Sequence, residues 1–217
     1  MKKLFSLTGL ILVACTVYGQ GLKLGVAVEP GVSWVSAEAR NVDNDNQRLS
    51  FCGGLVLDNY FQTNYAFSTG LFLGVQGGSL KYGDSTQIHV YNDVQTLVPG
   101  STVTYKLQYL TVPLGIKLRT NEIGYFSYFA QLGVTTQINV KAKADASSEQ
   151  LDDDSIKDEI NFFNMGYHFG GGVEYSISTD SAIVLAIYYH NGFTDITSNN
   201  DIRVMNRLLS VRLGVMF

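Results

Sequence analysis

Apolar residues recur at every second position over eight long stretches of this chain, and almost nowhere at helical spacing. Strict alternation sends successive side chains to opposite faces of an extended strand. From the first stretch onward, Leu22, Leu24, Val26, Val28, Pro30, Val32 and Trp34 alternate with Lys23, Gly25, Ala27, Glu29, Gly31 and Ser33. The rhythm returns at 51–61, 67–75, 103–118, 126–138, 163–175, 183–189 and 209–217. In the fourth stretch the parity slips. Val103, Tyr105, Leu107 and Tyr109 share one face, and Leu110, Val112, Leu114, Ile116 and Leu118 fall on the other. A slip of one residue inverts every later side chain, so a β-bulge near Tyr109–Leu110 is expected to absorb it. Pro113 brings a second disturbance, having no backbone donor.

The connectors alternate in length. Those at 38–48, 83–102, 145–161 and 193–203 read as long polar loops, and those at 62–65, 120–124 and 178–181 as short turns. Strict alternation puts all long loops at one end, the plan of an outer-membrane barrel. The expected fold is all-β, an eight-stranded antiparallel up-and-down transmembrane β-barrel.

The N-terminus specifies export. Lys2 and Lys3 precede an apolar run of eleven residues at 4–14. That is too short for a membrane helix, which needs about 20 residues, and it suits a signal-peptide core. Val17-Tyr18-Gly19 offers a cut before Gln20, giving a signal peptide at 1–19 and a barrel domain at 20–217. A rival cut exists at Leu12-Val13-Ala14-Cys15, which resembles a lipoprotein box with Cys15 as the lipidated residue. After cleavage at Gly19 only Cys52 remains, which excludes an intramolecular disulfide.

Alternation alone fits a secreted lipocalin-like barrel as well as a membrane barrel. Composition separates them. Only 16% of the residues are charged and 12% are aromatic, with 22 glycines. The less apolar face is Gly, Ser, Ala and Gln with a few charges. It makes a poor water-facing wall and a suitable interior for a narrow barrel. Threaded up and down, the outward aromatics gather at two levels. Phe61, Phe67, Phe126, Tyr128, Tyr175 and Phe217 fall near the short-turn end; Trp34, Phe51, Tyr105, Phe163 and Tyr189 fall near the long-loop end. Two aromatic girdles around an aliphatic band match a bilayer. Outer-membrane lipid is then an expected partner and the outer membrane the expected location. The net charge of −4, with no basic patch, argues against nucleic acid.

The last stretch places Leu209, Val211, Leu213, Val215 and Phe217 on one face and ends on phenylalanine. It resembles the terminal-strand signal read by the barrel assembly machinery, which adds that machinery as an expected partner. The segment Leu107-Gln108-Tyr109-Leu110-Thr111-Val112-Pro113-Leu114-Gly115-Ile116-Lys117 resembles a signature of the PorT-like outer-membrane β-barrel family, typical of Bacteroidetes-type bacteria. Gly124-Tyr125-Phe126-Ser127-Tyr128-Phe129-Ala130-Gln131-Leu132-Gly133 is similar to the strand that follows it there. The resemblance implies an integral eight-stranded barrel. Some relatives assist protein secretion across the outer membrane.

Catalytic signatures are thin. His89 lies in a long loop, His168 and His190 on strands, and neither HExxH, paired CxxC nor Gly-x-Ser-x-Gly occurs. Gly170-Gly171-Gly172 sits within a strand and reads as close packing. No enzyme activity, cofactor or metal is expected. The inward face collects Lys23, Glu29, Asp58, Lys117, Glu174 and Arg212, with Gln131 and His168 beside them. Charges in a narrow lumen must pair, so these are expected to form a neutralising network that fills the barrel. Asp145, Glu149, Asp152, Asp153, Asp154, Asp158 and Glu159 make the 145–159 loop acidic. Their spacing is not that of an EF-hand, and they read as a solvated external loop with a short helix near 156–160. Two functional readings follow. One is a structural or interaction barrel, contacting surface partners or assisting secretion. The other is a narrow solute pore or ligand-carrying barrel.

Overall fold

The computed structural model describes residues 21–38, 41–90, 93–146, 154–157, 159–198 and 203–217. The expected signal peptide at 1–19, with Cys15, and the middle of the acidic loop lie outside the described residues. Eleven strands follow in order: β1 (Leu22–Ala37), β2 (Val42–Gln62), β3 (Tyr65–Tyr82), β4 (Thr86–Val90), β5 (Asp93–Leu97), β6 (Thr102–Arg119), β7 (Phe126–Ala146), β8 (Asp154–Ser155), β9 (Phe163–Ser176), β10 (Ala182–Gly192) and β11 (Val204–Met216). Strands β1, β2, β3, β6, β7, β9, β10 and β11 each pair antiparallel with their chain neighbours, and β11 returns to pair with β1. The sheet therefore closes as an eight-stranded up-and-down ring and keeps no edge in the membrane zone. The hairpin β4–β5 and the two-residue β8 are additions at one end.

The start of β1, the end of β11 and the short turns share the lower end. Thr63–Asn64 joins β2 to β3, and Gly124 takes a positive φ of 66° in the turn between β6 and β7. A φ of that sign is comfortable only for glycine. Along each strand the alternation sorts as expected. Leu24, Val26, Leu55, Leu71, Leu114, Leu132, Ile183 and Leu213 are exposed, while Ala27, Asp58, Phe72, Lys117, Val184 and Arg212 are buried inside.

Several expectations need correction. The connector 38–48 is not a long loop: β2 begins at Val42 and its tip pairs with the tip of β3. The loop at 83–102 holds the β4–β5 hairpin. The described part of 154–160 forms β8 and turns, and no helix. Most informative is Tyr105, which is not an outward girdle residue; it is 2% exposed and packed inside. Strand β6 never changes parity. Val103, Tyr105, Leu107, Tyr109 and Lys117 all face inward, and Leu114, Ile116 and Leu118 face out. The apolar side changes because the surroundings change. Low on the strand, lipid is outside and polar groups inside; higher up, water is outside and an apolar core inside. A bulge does occur opposite, in β7: Gln108 pairs with Lys141 and Tyr109 with Asn139, leaving Val140 extra. Beyond it the parity of β7 inverts, so Lys141 is exposed and Ala142 is buried.

The interior holds two apolar clusters. Ala27, Val56, Phe72, Phe129, Val184, Ala186, Tyr188 and Met216 form the lower one. The upper one joins Val35, Leu80, Tyr82, Val103, Tyr105, Leu107 and Tyr109 to Ile156, Ile160 and Ile196 from the upper connections. The strands thus overshoot the lipid-facing band and end in a core of their own.

Candidate functional site

The lumen is the one place where the described ionic side chains are buried together. Near its lower mouth Lys117 of β6 reaches Asp58 of β2 and Glu174 of β9, each at 2.5 Å from Nζ. The Ser68 hydroxyl donates to Asp58 at 2.6 Å. Arg119 pairs with Glu174 at 2.9 Å, and its Nη2 donates to Ser127 Oγ at 2.9 Å. Two cations and two carboxylates balance to zero. Lys117 also lies over the Phe129 ring, 4.4 Å from its centroid.

One layer higher, Arg212 of β11 donates from Nε to Glu29 of β1 at 2.6 Å and from Nη1 to the Tyr188 oxygen at 3.2 Å. Its guanidinium sits between the Phe72 and Tyr188 rings, at 5.1 and 4.1 Å. The Tyr188 hydroxyl donates to Gln131 Oε1 at 2.6 Å. The Gln131 amide nitrogen stands 3.3 Å from His168 Nε2, and Thr135 Oγ1 stands 2.8 Å from His168 Nδ1. A chain of hydrogen bonds therefore crosses the barrel from Glu29 through Arg212, Tyr188, Gln131 and His168 to Thr135. Such networks stiffen a core when every member is satisfied.

Of the residues singled out in sequence, Glu29, Asp58, Lys117, Gln131, His168, Glu174 and Arg212 meet in these two layers. Lys23 does not: it is half-exposed at the lower rim, opposite Asp58 in the β1–β2 ladder. Arg119 and Tyr188 belong to the layers and were missed. Arg119 ends an otherwise aliphatic strand, and Tyr188 sits beside the outward Tyr189. Alternation from Ile183 would have placed Tyr188 inside. Leu209, Val211, Leu213, Val215 and Phe217 all face outward along the terminal strand. Cys52 is a free, half-buried thiol. His89 lies in β4, apart from this centre.

Two small cavities lie among the described lumen residues. A cavity lined by Asp58, Lys117, Phe129, Gln131, Tyr188 and Arg212 measures about 10 Å3. Another, lined by Gln76, Thr135, Gln137, His190 and Asn206, measures about 10 Å3. Each is about the size of one water molecule. Among the described residues, no three His, Cys, Asp or Glu side chains come together as a metal site.

An eight-stranded antiparallel ring with an aliphatic outer wall, aromatic residues toward both ends of that wall and paired charges inside defines a small outer-membrane β-barrel. Residues 19–198 match the family model described as outer membrane protein beta-barrel domain, and the chain belongs to that family. Among solved structures, Neisserial surface protein A superposes with a TM-score of 0.50 at 11% identity, covering 91% of this chain and 96% of that one. OprG from Pseudomonas aeruginosa superposes with a TM-score of 0.49 at 12% identity, covering 92% and 98%. At such identities the likeness concerns the fold. No curated protein matches the sequence.

Proposed function

We propose that this protein is a closed, non-enzymatic barrel of the outer membrane that acts through its upper end. In this reading residues 1–19 are a signal peptide, residues 20–217 are the exported domain, and the upper end faces outside. The upper end would contact a surface or secretion partner, in keeping with the resemblance of 107–117 to PorT-like barrels. The terminal strand, with its outward Leu209, Val211, Leu213, Val215 and Phe217, would be the part recognised during assembly.

One observation carries the closed reading. Lys117 and Arg119 face Asp58 and Glu174, and Arg212 faces Glu29, so the buried lumen charges cancel within hydrogen-bonding distance. A conducting path needs space and exchangeable charge, and here both are taken up by side chains. Planar-bilayer recording on the purified protein tests this. No discrete conductance is expected in simple salt; reproducible unitary steps would favour the pore instead. Membrane fractionation with boiled and unboiled electrophoresis tests the embedded barrel itself. A protein that stays soluble without detergent and migrates identically in both lanes overturns it.

A further inference from the structure

The outer wall of β11 changes character at one residue. Below it, Leu209, Val211, Leu213, Val215 and Phe217 face lipid. The next outward position is Arg207. It lies ten residues from Phe217, which at about 3.4 Å per residue and a tilt near 40° raises it about 25 Å, the height of the apolar band in such barrels. Its neighbours mark the same level. Trp34 is its direct partner on β1 and Asn191 its direct partner on β10. Trp34 also contacts Tyr189, with ring centroids 6.3 Å apart. Arg207 therefore stands where acyl chains give way to head groups.

Its surroundings fix the guanidinium. Arg207 Nε donates to Asn191 Oδ1 at 2.9 Å, and Asn191 Nδ2 donates to the Tyr167 oxygen at 3.1 Å. Among the described residues no carboxylate pairs with Arg207, whereas the inward Arg119 and Arg212 and the exposed Arg203 each have one. An arginine on the lipid-facing wall, held by its Nε alone, keeps its two terminal nitrogens for an oxyanion. A planar fork of this kind matches phosphate.

We infer that Arg207, with Asn191, Tyr167 and Trp34, forms a binding site for a phosphate-bearing lipid head group in the outer leaflet. The inference rests on the membrane-embedded, upper-end-outward reading above. The lipid's phosphate meets the guanidinium, its chains lie along Leu209 and Val211, and the indole of Trp34 borders the head group. The site would hold an annular lipid at a fixed point on the β10–β11–β1 face.

Trp34 is the single tryptophan of the chain, so its emission reports on this site directly. The full chain, folded in a neutral detergent, is titrated with phosphatidylglycerol, with diacylglycerol and with inorganic phosphate, and lipid retention is counted by native mass spectrometry. Phosphatidylglycerol is expected to give a saturable emission change and one retained lipid. Diacylglycerol and inorganic phosphate are expected to give neither. Arg207→Gln is expected to raise the midpoint about tenfold, the scale of losing a charge-assisted hydrogen bond. Arg203→Gln, outside the site, is expected to titrate as wild type. Equal response to diacylglycerol, saturation by inorganic phosphate alone, or an unchanged midpoint in Arg207→Gln overturns the site. Heat-modifiable migration of every variant is read in parallel. Its loss in the unmutated protein would sink the barrel reading, and its retention with a flat titration would sink only the lipid site.

Discussion

Glu29 and Arg212 lie 183 residues apart and meet at 2.6 Å across the seam where β1 closes on β11. Each is almost fully buried, and each cancels the other. Removing one partner strands a buried charge, which costs about 3–5 kcal/mol, while replacing both with apolar groups of similar volume is near neutral. Arg212→Met and Glu29→Leu are each expected to lower the midpoint of urea unfolding in detergent. The pairing of Arg212→Met with Glu29→Leu is expected to recover most of that loss. Additive losses in the cycle would show that the two side chains do not act as a pair.

Tyr105 anchors the upper core, and its hydroxyl stands 2.7 Å from that of Tyr82. Tyr105→Ala should open a cavity worth about 3–5 kcal/mol. The damage should stay at the upper end, because the lower layers share none of its contacts. Limited proteolysis is expected to cut near 154–160 much faster in the variant, while unboiled migration in gels is retained. Unaltered cleavage would mean that the connections do not depend on this packing.

The same two phenols give a pH dependence. Burial holds both Tyr82 and Tyr105 above the usual phenol range, and the Tyr105 hydroxyl pulls Tyr82 back slightly. A group whose folded pKa is raised contributes stability below its unfolded pKa and loses it as pH climbs. The upper end should thus be stable at neutral pH and weaken above about pH 10, where unfolded tyrosine ionises. Proteolysis at 154–160, repeated across pH with an alkali-tolerant protease, reads this out. Tyr82→Phe combined with Tyr105→Phe should flatten the alkaline rise, and a rise that persists in the double variant contradicts the assignment.

Gly78 sits where β3 passes close to β1. The Gly77 amide donates to Ser33 Oγ at 2.9 Å. A Cβ on residue 78 would lie 2.6 Å from Val35 N and 2.9 Å from Trp34 Cα. Both are backbone atoms, so no side chain can yield. Gly78→Ala is expected to destabilise the barrel by about 1–3 kcal/mol, seen as a lower temperature for loss of the compact gel form. An unshifted temperature would mean the strands part without cost.

At the other end of the wall, Phe217 is exposed and its amide bonds to the Leu24 carbonyl at 2.7 Å. If it is part of the assembly signal, Phe217→Asp should lower the membrane-inserted yield in cells with no change in synthesis. Pulse labelling followed by fractionation measures both quantities. Equal insertion would remove Phe217 from the signal.

The barrel itself was legible because alternation is a local property that survives any tertiary detail. Leu24, Val26 and Val28 read correctly from their own spacing. The inward charges were equally visible, each being a polar residue at an alternate position. What sequence could not convey was height. Alternation says which residues share a face, and it leaves the medium on each side unstated. Val103 to Tyr109 therefore looked like a lipid wall with a register fault, although the strand keeps its parity and its surroundings change. For the same reason 42–48 read as a loop. Asp43, Asn44, Asp45 and Asn46 are polar because water lies outside them, yet they belong to a strand. Arg119 was overlooked because it lies one position past the aliphatic run, where a strand was expected to end.

The upper core has a further meaning for how such a surface changes over time. Loops that hang free tolerate substitution independently of everything beneath them. Here Ile156, Ile160 and Ile196 pack against Val35, Tyr82 and Tyr105, so the upper connections are keyed into the wall that carries them. A change at Ile156 alone leaves a gap, and it is accommodated only by a matching change far away in the chain. Variation is then pushed toward side chains that no other part of the molecule touches.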